Sequence, residues 1–320
     1  MSKTGFYTHP QCLLHEMGEG HPECPDRLHA IYDRLLMTGL DIGLENIEAG
    51  PASITDLELA HTRTHIAALR GLADQLVDDV AAGGPSHIQV DPDTSMNLYT
   101  WSALLHAAGA AIEATDAVIA GELQNAFCAV RPPGHHAHRA QAGGFCFVNN
   151  VAVAAKHALE RHGLKRVAIV DFDVHHGDGT QDIFKSDERV LMASIYQHPY
   201  YPIGGAGEIT QTMVNVPVPA YSKGDSIRQM VTDYWVPALH EHKPEMIFVS
   251  AGFDAHREDD LGQLGLTEAD YAWITRQIKT VALAHAKGRI VSVLEGGYSL
   301  QALAKSVEAH IRVLADLEAR

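Results

Sequence analysis

VAIVDFDVHHGDG, residues 167–179, joins an apolar run to a cluster of acids, histidines and glycines. Val167, Ala168, Ile169 and Val170 follow one another without a polar break, as in a strand covered on both faces, and the strand is read as Arg166–Asp171. Four further strands are read at Ala126–Val130, Arg189–Ile195, Met246–Ala251 and Arg289–Leu294, with helical patterns at about 149–162, 224–241, 267–286 and 299–317. Thr267, with Asp270 three residues on, forms a variant capping box at the head of one helix. This alternation predicts an α/β fold, three layers in α/β/α order around a mostly parallel central sheet.

The residues before 126 read as more helical. Pro25 opens a helix whose apolar positions Leu28, Ile31, Leu35 and Leu36 keep helical spacing. A Gly/Pro-rich stretch at 83–93 reads as a loop, too short for a linker, and no repeat interrupts the chain, so residues 1–320 are expected to form a single domain.

The polar clusters fall where open α/β sheets bind ligands, beyond the carboxyl ends of strands. RPPGHH (131–136) follows Val130, DFDVHHGDG (171–179) follows Val170, AGFDAH (251–256) follows Ser250, and EGGY (295–298) follows Leu294. Asp171, Asp173 and His175 alternate at a strand end, so an extended chain points them to one side. With Asp254 from another loop, Asp173 and His175 offer three N/O ligands and leave a position open, as catalytic rather than structural zinc sites do. Taken alone, DVHHGDG also fits an ordinary strand-end turn.

His135 and His136, after a stiff Pro-Pro-Gly, can supply a general base and a positively charged neighbour for a developing oxyanion. Each needs a carboxylate on its other ring nitrogen, and Asp171 and Asp178 are the candidates. Tyr298, after two glycines, can donate its hydroxyl to a carbonyl oxygen or simply pack its ring in a turn. Other histidines among the 21, such as His61, His65 and His106, are read as structural.

Composition narrows the function classes. A chain of 320 residues, 46% hydrophobic and 20% charged, can bury a large core. Its formal net charge of -16, without a basic run, argues against direct nucleic acid binding. A negative field can steer cationic substrates or serve solubility alone. The four cysteines, 12, 24, 128 and 146, form no CxxC pair and read as free thiols in a reducing compartment. No signal peptide or membrane span is read, the apolar stretch near 100–121 being broken by His106, Glu113 and Asp116, so a cytoplasmic location and no membrane partner are expected.

The chain resembles the zinc-dependent histone deacetylase family, within the arginase/deacetylase fold and closest to its class II and bacterial amidohydrolase members. The matching segments are HPECPDRL (21–28), VRPPGHHAHRAQAGGFCFVNN (130–150), VAIVDFDVHHGDGTQDIF (167–184), SAGFDAHREDDLGQLGLT (250–267) and EGGY (295–298). The resemblance implies hydrolysis of the amide in N-acetylated primary amines, with one Zn2+ on Asp173, His175 and Asp254. It makes His136 the general base and then acid, backed by Asp178. His135 is chiefly electrostatic, backed by Asp171, and Tyr298 is the oxyanion donor. Phe145 and Tyr201 would wall a tunnel with Gly144 at its floor, Leu261 would stand at the rim, and Arg27 would line an inner acetate channel. A structural K+ would use the side chains of Asp171 and Ser194 with the backbones of Asp173, His175 and Ile195, and a second K+ the carbonyls of Phe184, Asp187 and Val190.

Three departures from the family pattern stand out. Asp178 replaces the asparagine usual in class II, Tyr201 replaces phenylalanine, and the Tyr200–Glu208 loop is short, which opens the rim. Leu261 favours acetyl-lysine or another short acyl-amine, while Glu258, Asp259 and Asp260 are able to attract an acetylated polyamine. The competing readings are a dimanganese ureohydrolase on the same fold and a binding protein for acyl-amines without turnover.

Overall fold

The computed structural model describes residues 3–203 and 209–318. Ten strands are described: β1 Thr4–Thr8, β2 Glu45–Glu48, β3 His87–Asp91, β4 Thr94–Asn97, β5 Asn125–Cys128, β6 Val167–Asp171, β7 Val190–Gln197, β8 Met213–Val218, β9 Ile247–Ala251 and β10 Ile290–Leu294. Eight of them form one sheet in the order β2-β1-β5-β10-β9-β6-β7-β8. Every pairing in it is parallel. β3 and β4 make a separate antiparallel hairpin.

Side-chain alternation shows that helices cover both faces. Asn125 and Phe127 point to the helix Leu300–Leu314, the amide of Asn125 donating to the Leu314 carbonyl at 3.0 Å and the Phe127 ring meeting His310 edge-on. Tyr7, the register partner of the next residue Cys128, reaches the opposite face, where its hydroxyl donates to the Glu113 carbonyl in the helix Thr100–Ala120. Every residue of β6, β7, β9 and β10 is buried between helical layers, which is why their sequences are mostly apolar, with single serines at 194, 250 and 292 inside the runs. The helix Thr100–Ala120 is long and apolar enough to cross a membrane, yet it is mostly buried inside the protein, against β5 and the helix Asn150–Glu160.

All five strands read from the sequence are present, and three more extend the sheet. β1 and β2 are strands not read from the sequence in the first third, which reads as more helical. β2 is four mostly exposed residues, Glu-Asn-Ile-Glu, so as an edge strand it carries no apolar run. β8 is the other edge and contains an exposed Pro217, a residue that edge strands tolerate. The stretch 83–93 is likewise not all loop, since β3 lies within it.

The helix opened by Pro25 runs Asp26–Thr38 and buries Leu28, Ile31 and Leu35, but Leu36 is 62% exposed and is not a core residue. The pattern at 224–241 is broken by a π-helical turn, Val231–Trp235, just before Pro237. Proline has no N–H for the bond to the fourth preceding carbonyl, so the helix is locally widened there. Thr267 and Asp270 do form a capping box, the Thr267 N–H donating to Asp270 Oδ2 at 2.8 Å. The short loop read at Tyr200–Glu208 lies outside the described residues from 204 onward.

The four strands that precede the polar clusters, β5, β10, β9 and β6, are adjacent in the sheet. Their loops therefore open side by side at one edge, and this is what assembles a site from residues 160 positions apart.

Candidate active site

Asp173, His175 and Asp254 converge at this edge. His175 Nδ1 is 3.0 Å from Asp173 Oδ1 and 3.2 Å from Asp254 Oδ2. The three donor atoms lie within 4.8 Å of one another. Main-chain donors hold the rest of each carboxylate, Val174 N–H on Asp254 Oδ1 at 2.8 Å and Gly296 N–H on Asp173 Oδ2 at 2.9 Å. Asp254 Oδ2 is buried and receives no well-aligned hydrogen bond, His175 Nδ1 standing off its axis at 3.2 Å. An orphaned carboxylate oxygen is costly inside a protein, and a cation removes that cost. Space is reserved for it as well: a Cβ on Gly296 would sit 2.1 Å from Asp254 Oδ2 and 2.6 Å from Asp173 Oδ2. Two carboxylates and one imidazole fit a divalent ion with N/O preference, zinc included.

Electrostatics agree with that fit. Burial and the neighbouring Asp173 push the Asp254 carboxyl up to about 7. Burial opposes charge on His175 too, but Asp173 and Asp254 prevail and raise it to about 10.

The tandem histidines differ sharply in charge. His135 Nδ1 is 3.0 Å from Asp171 Oδ2, and His136 Nδ1 is 2.7 Å from Asp178 Oδ1. A carboxylate on each Nδ1 holds the proton there and leaves Nε2 turned to the site. His135 is raised well above its ordinary value, because Asp173 and Asp171 overcome burial. His136 is lowered to about 4 by burial and by its neighbour His135, against the pull of Asp178. The two imidazoles are thus biased in opposite directions, His135 toward the charged form and His136 toward the neutral one. Asp178 also accepts from His138 Nε2 at 2.9 Å, so the acid that stands in place of asparagine serves two imidazoles.

Tyr298 is held on three sides. The Arg27 guanidinium carbon is 4.9 Å from its ring centroid, Phe145 meets it edge-on at 5.9 Å, and its main-chain N–H donates to Asp259 Oδ2 at 2.6 Å. Burial pushes its phenol well above the ordinary range despite Arg27, so it keeps its proton. Arg27 itself is fully buried, donating to the Gly297 carbonyl at 2.6 Å and to Glu23 Oε1 at 3.1 Å.

Gly144 has φ +57, and an added Cβ would lie 2.7 Å from the His136 ring and 2.9 Å from the Tyr201 hydroxyl, so only glycine leaves both in place. Phe145 follows at φ 68, a strained value for a non-glycine residue. Tyr201 is 39% exposed with its ring 5.1 Å from His136, and it stands between the histidines and solvent. Leu261, half-buried, is fastened through its N–H to Asp259 Oδ1 at 3.0 Å.

The residues named for monovalent cations also fall together. Asp171 is the register partner of Ser194, whose hydroxyl donates to Asn215 Oδ1 at 2.9 Å, and Ile195 is next in β7. Phe184, Asp187 and Val190 share one turn, in which the Phe184 and Asp187 carbonyls accept the N–H groups of Asp187 and Val190 at 2.9 and 3.0 Å.

Several residues of the site escaped the sequence reading. Glu295 is fully buried and accepts from the Gly134 N–H at 2.6 Å, the His135 N–H at 3.1 Å and the Ser250 hydroxyl at 3.1 Å, which ties the tandem histidines to β9 and β10. Its position at the head of EGGY was the available signal. Tyr200 stacks on His175 with centroids 5.6 Å apart. Asp259, read as part of an acidic rim, is 5% exposed and turns inward. His61, His65 and His106 bond main-chain groups and serve the fold, His61 joining the His138 carbonyl to the Asn149 N–H.

The histone deacetylase domain family matches residues 21–314 of the chain. The chain belongs to the histone deacetylase family. It is 37% identical over 306 residues to a probable deacetylase of Archaeoglobus fulgidus, covering 93% of this chain and 82% of that one. It is 36% identical over 321 residues to the histone deacetylase-like amidohydrolase of Pseudomonas aeruginosa, with 93% and 82% covered. The polyamine deacetylase HDAC10 of Mus musculus is 38% identical over 322 residues, and the match spans 94% of this chain but 46% of HDAC10. Among solved structures, the HDA15 HD domain superposes with a TM-score of 0.90 at 34% identity, covering 100% of this chain and 91% of that one. The sheet and its helices are therefore those of a deacetylase-family amidohydrolase, of the arginase/deacetylase type.

Proposed function

We propose that this chain is a zinc-dependent deacetylase that hydrolyses the amide of N-acetylated primary amines, acetyl-lysine in proteins or peptides or a related short acyl-amine, and releases acetate. The observation that carries the reading is the placement of His135 and His136, each with a carboxylate on its Nδ1, beside the three-donor cluster of Asp173, His175 and Asp254. Zinc, when held by Asp173, His175 and Asp254, supplies Lewis-acid polarisation of the acetyl carbonyl and acidifies water.

The chain's own residues do the rest. His136 takes a proton from the attacking water on Nε2 and returns it to the departing amine, with Asp178 holding its tautomer. The Tyr298 hydroxyl and the His135 imidazolium stabilise the charge that grows on the carbonyl oxygen. Phe145, Tyr201 and Gly144 sheathe a linear alkyl chain, and Arg27 lies behind Tyr298 where acetate leaves. The Asp171–Ser194 and Phe184–Val190 groups are assigned to K+ in a structural role.

Leu261 at the rim supports acetyl-lysine. An acetylpolyamine amidohydrolase is the second reading, favoured by the similarity to the mouse polyamine deacetylase, but only Glu258 and Asp260 of the acidic run face solvent. A dimanganese ureohydrolase needs further bridging carboxylates, whereas Asp171 and Asp178 are engaged with His135 and His136. A cytoplasmic location without nucleic acid or membrane partners remains part of the proposal.

The test is a side-by-side measurement of acetate release by zinc-loaded protein from acetyl-lysine peptides and acetylated polyamines, with acid release from longer acyl-lysines. The highest kcat/KM is expected on acetyl-lysine. A preference for polyamines would overturn the substrate, and release from none would overturn the reaction.

A further inference from the structure

Away from the catalytic edge, Asp116 in the helix Thr100–Ala120 faces two histidines from a neighbouring helix and its exit turn. His157 Nε2 lies 2.7 Å and His162 Nε2 2.5 Å from one and the same oxygen, Asp116 Oδ1. The two imidazoles meet edge to face with centroids 5.2 Å apart. Their nitrogens and the carboxylate oxygen lie within 4.8 Å of one another, as do the donor atoms of Asp173, His175 and Asp254. Topology separates the groups: His162 precedes β6, and Asp173 follows its far end.

Without a cation, both rings must carry the proton on Nε2 and crowd two N–H donors onto one oxygen. His157 Nδ1 is buried without a partner, so no bond on that side fixes either tautomer of the ring. Two imidazoles and a carboxylate suit Zn2+, Cu2+ or Ni2+ far better than Mg2+ or Ca2+. The side chains of His157, His162 and Asp116 are 12%, 29% and 47% exposed, so water can complete the coordination. We infer that Asp116, His157 and His162 form a second, non-catalytic site for a first-row transition-metal dication, clasping the helix Thr100–Ala120 to the end of the helix Asn150–Glu160.

The test uses the full chain stripped of metal, dialysed against Zn2+ and analysed for bound ion. Wild type is expected to hold two zinc ions, and His162→Ala and Asp116→Asn one each, with acetate release by these variants unchanged. Zinc is expected to raise the melting temperature of Asp254→Ala but not of Asp254→Ala/His162→Ala. This readout stays informative if the catalytic reading fails. Electron paramagnetic resonance of bound Cu2+ supplies a further check, since two imidazole nitrogens give a splitting that His162→Ala reduces. A His162→Ala protein that binds as many zinc ions as wild type, with the same affinity, would overturn the inference, as would an Asp254→Ala protein whose melting temperature zinc does not raise.

Discussion

The buried carboxylate of Asp259 accepts the main-chain N–H of Tyr298 at 2.6 Å. The same oxygen, Oδ2, takes the main-chain N–H of Ser299, at the N-cap of the helix Leu300–Leu314, at 2.9 Å, and Oδ1 takes the Leu261 N–H at 3.0 Å. One acid thus fixes the tyrosine, the rim leucine and a helix N-terminus, where negative charge is favoured. Asparagine has one acceptor oxygen for three donors. Asp259→Asn is expected to cost about 1–3 kcal/mol of stability and to lower kcat with KM little changed. In a Tyr298→Phe background the same substitution should leave kcat where it is, whereas an effect independent of the tyrosine would add to it.

Tyr298→Phe keeps the ring against Arg27 and Phe145 and removes only the hydroxyl. Turnover on an acetyl-lysine peptide is expected to fall about 10²–10³-fold, the effect of losing one oxyanion donor, with KM nearly constant. Near-normal turnover in steady-state kinetics would remove the tyrosine from the reaction.

Glu23 is buried between Arg131, Arg27 and His15. Arg131 Nη2 lies 2.7 Å from Glu23 Oε2. Burial alone would raise its carboxyl, but Arg131 and His15 hold it well below the ordinary range. A depressed native value means the contribution is fully present above the unfolded value of about 4.3 and fades as pH falls through the native one. Glu23→Gln is expected to cost about 3–5 kcal/mol at pH 7. Denaturant titrations should show the gap from wild type narrowing below pH ~4; a gap that is the same at every pH would contradict the pairing.

Gly296→Ala places a methyl 2.1 Å from Asp254 Oδ2. Both ligand carboxylates must shift, so zinc affinity measured by chelator competition should drop at least about tenfold (~1.4 kcal/mol). An unchanged affinity would mean the carboxylates are not fixed as described.

What the sequence made legible follows from where its signals are physical. Val167–Asp171 and Ile247–Ala251 are buried on both faces, so their apolar runs stand out and carry the polar clusters at their ends. Glu45–Glu48 and Met213–Val218 are edges, and an edge strand needs neither a run nor an alternation. The pairing of His135 with Asp171 and of His136 with Asp178 was expected from the need for a tautomer-fixing acid, and both contacts are formed. Glu295 was not singled out and Asp259 was read as a rim acid, because a carboxylate that turns inward to collect main-chain N–H groups looks the same in a sequence as one facing water.

The most direct experiment is acetate release from an acetyl-lysine peptide by zinc-loaded wild type and by Asp254→Ala prepared in the same way, with bound zinc measured in both. Wild type is expected to turn over, while Asp254→Ala should lose the catalytic ion and, with it, nearly all activity. An Asp254→Ala protein that releases acetate at a rate close to wild type would show that the Asp173–His175–Asp254 cluster is not where the chemistry happens.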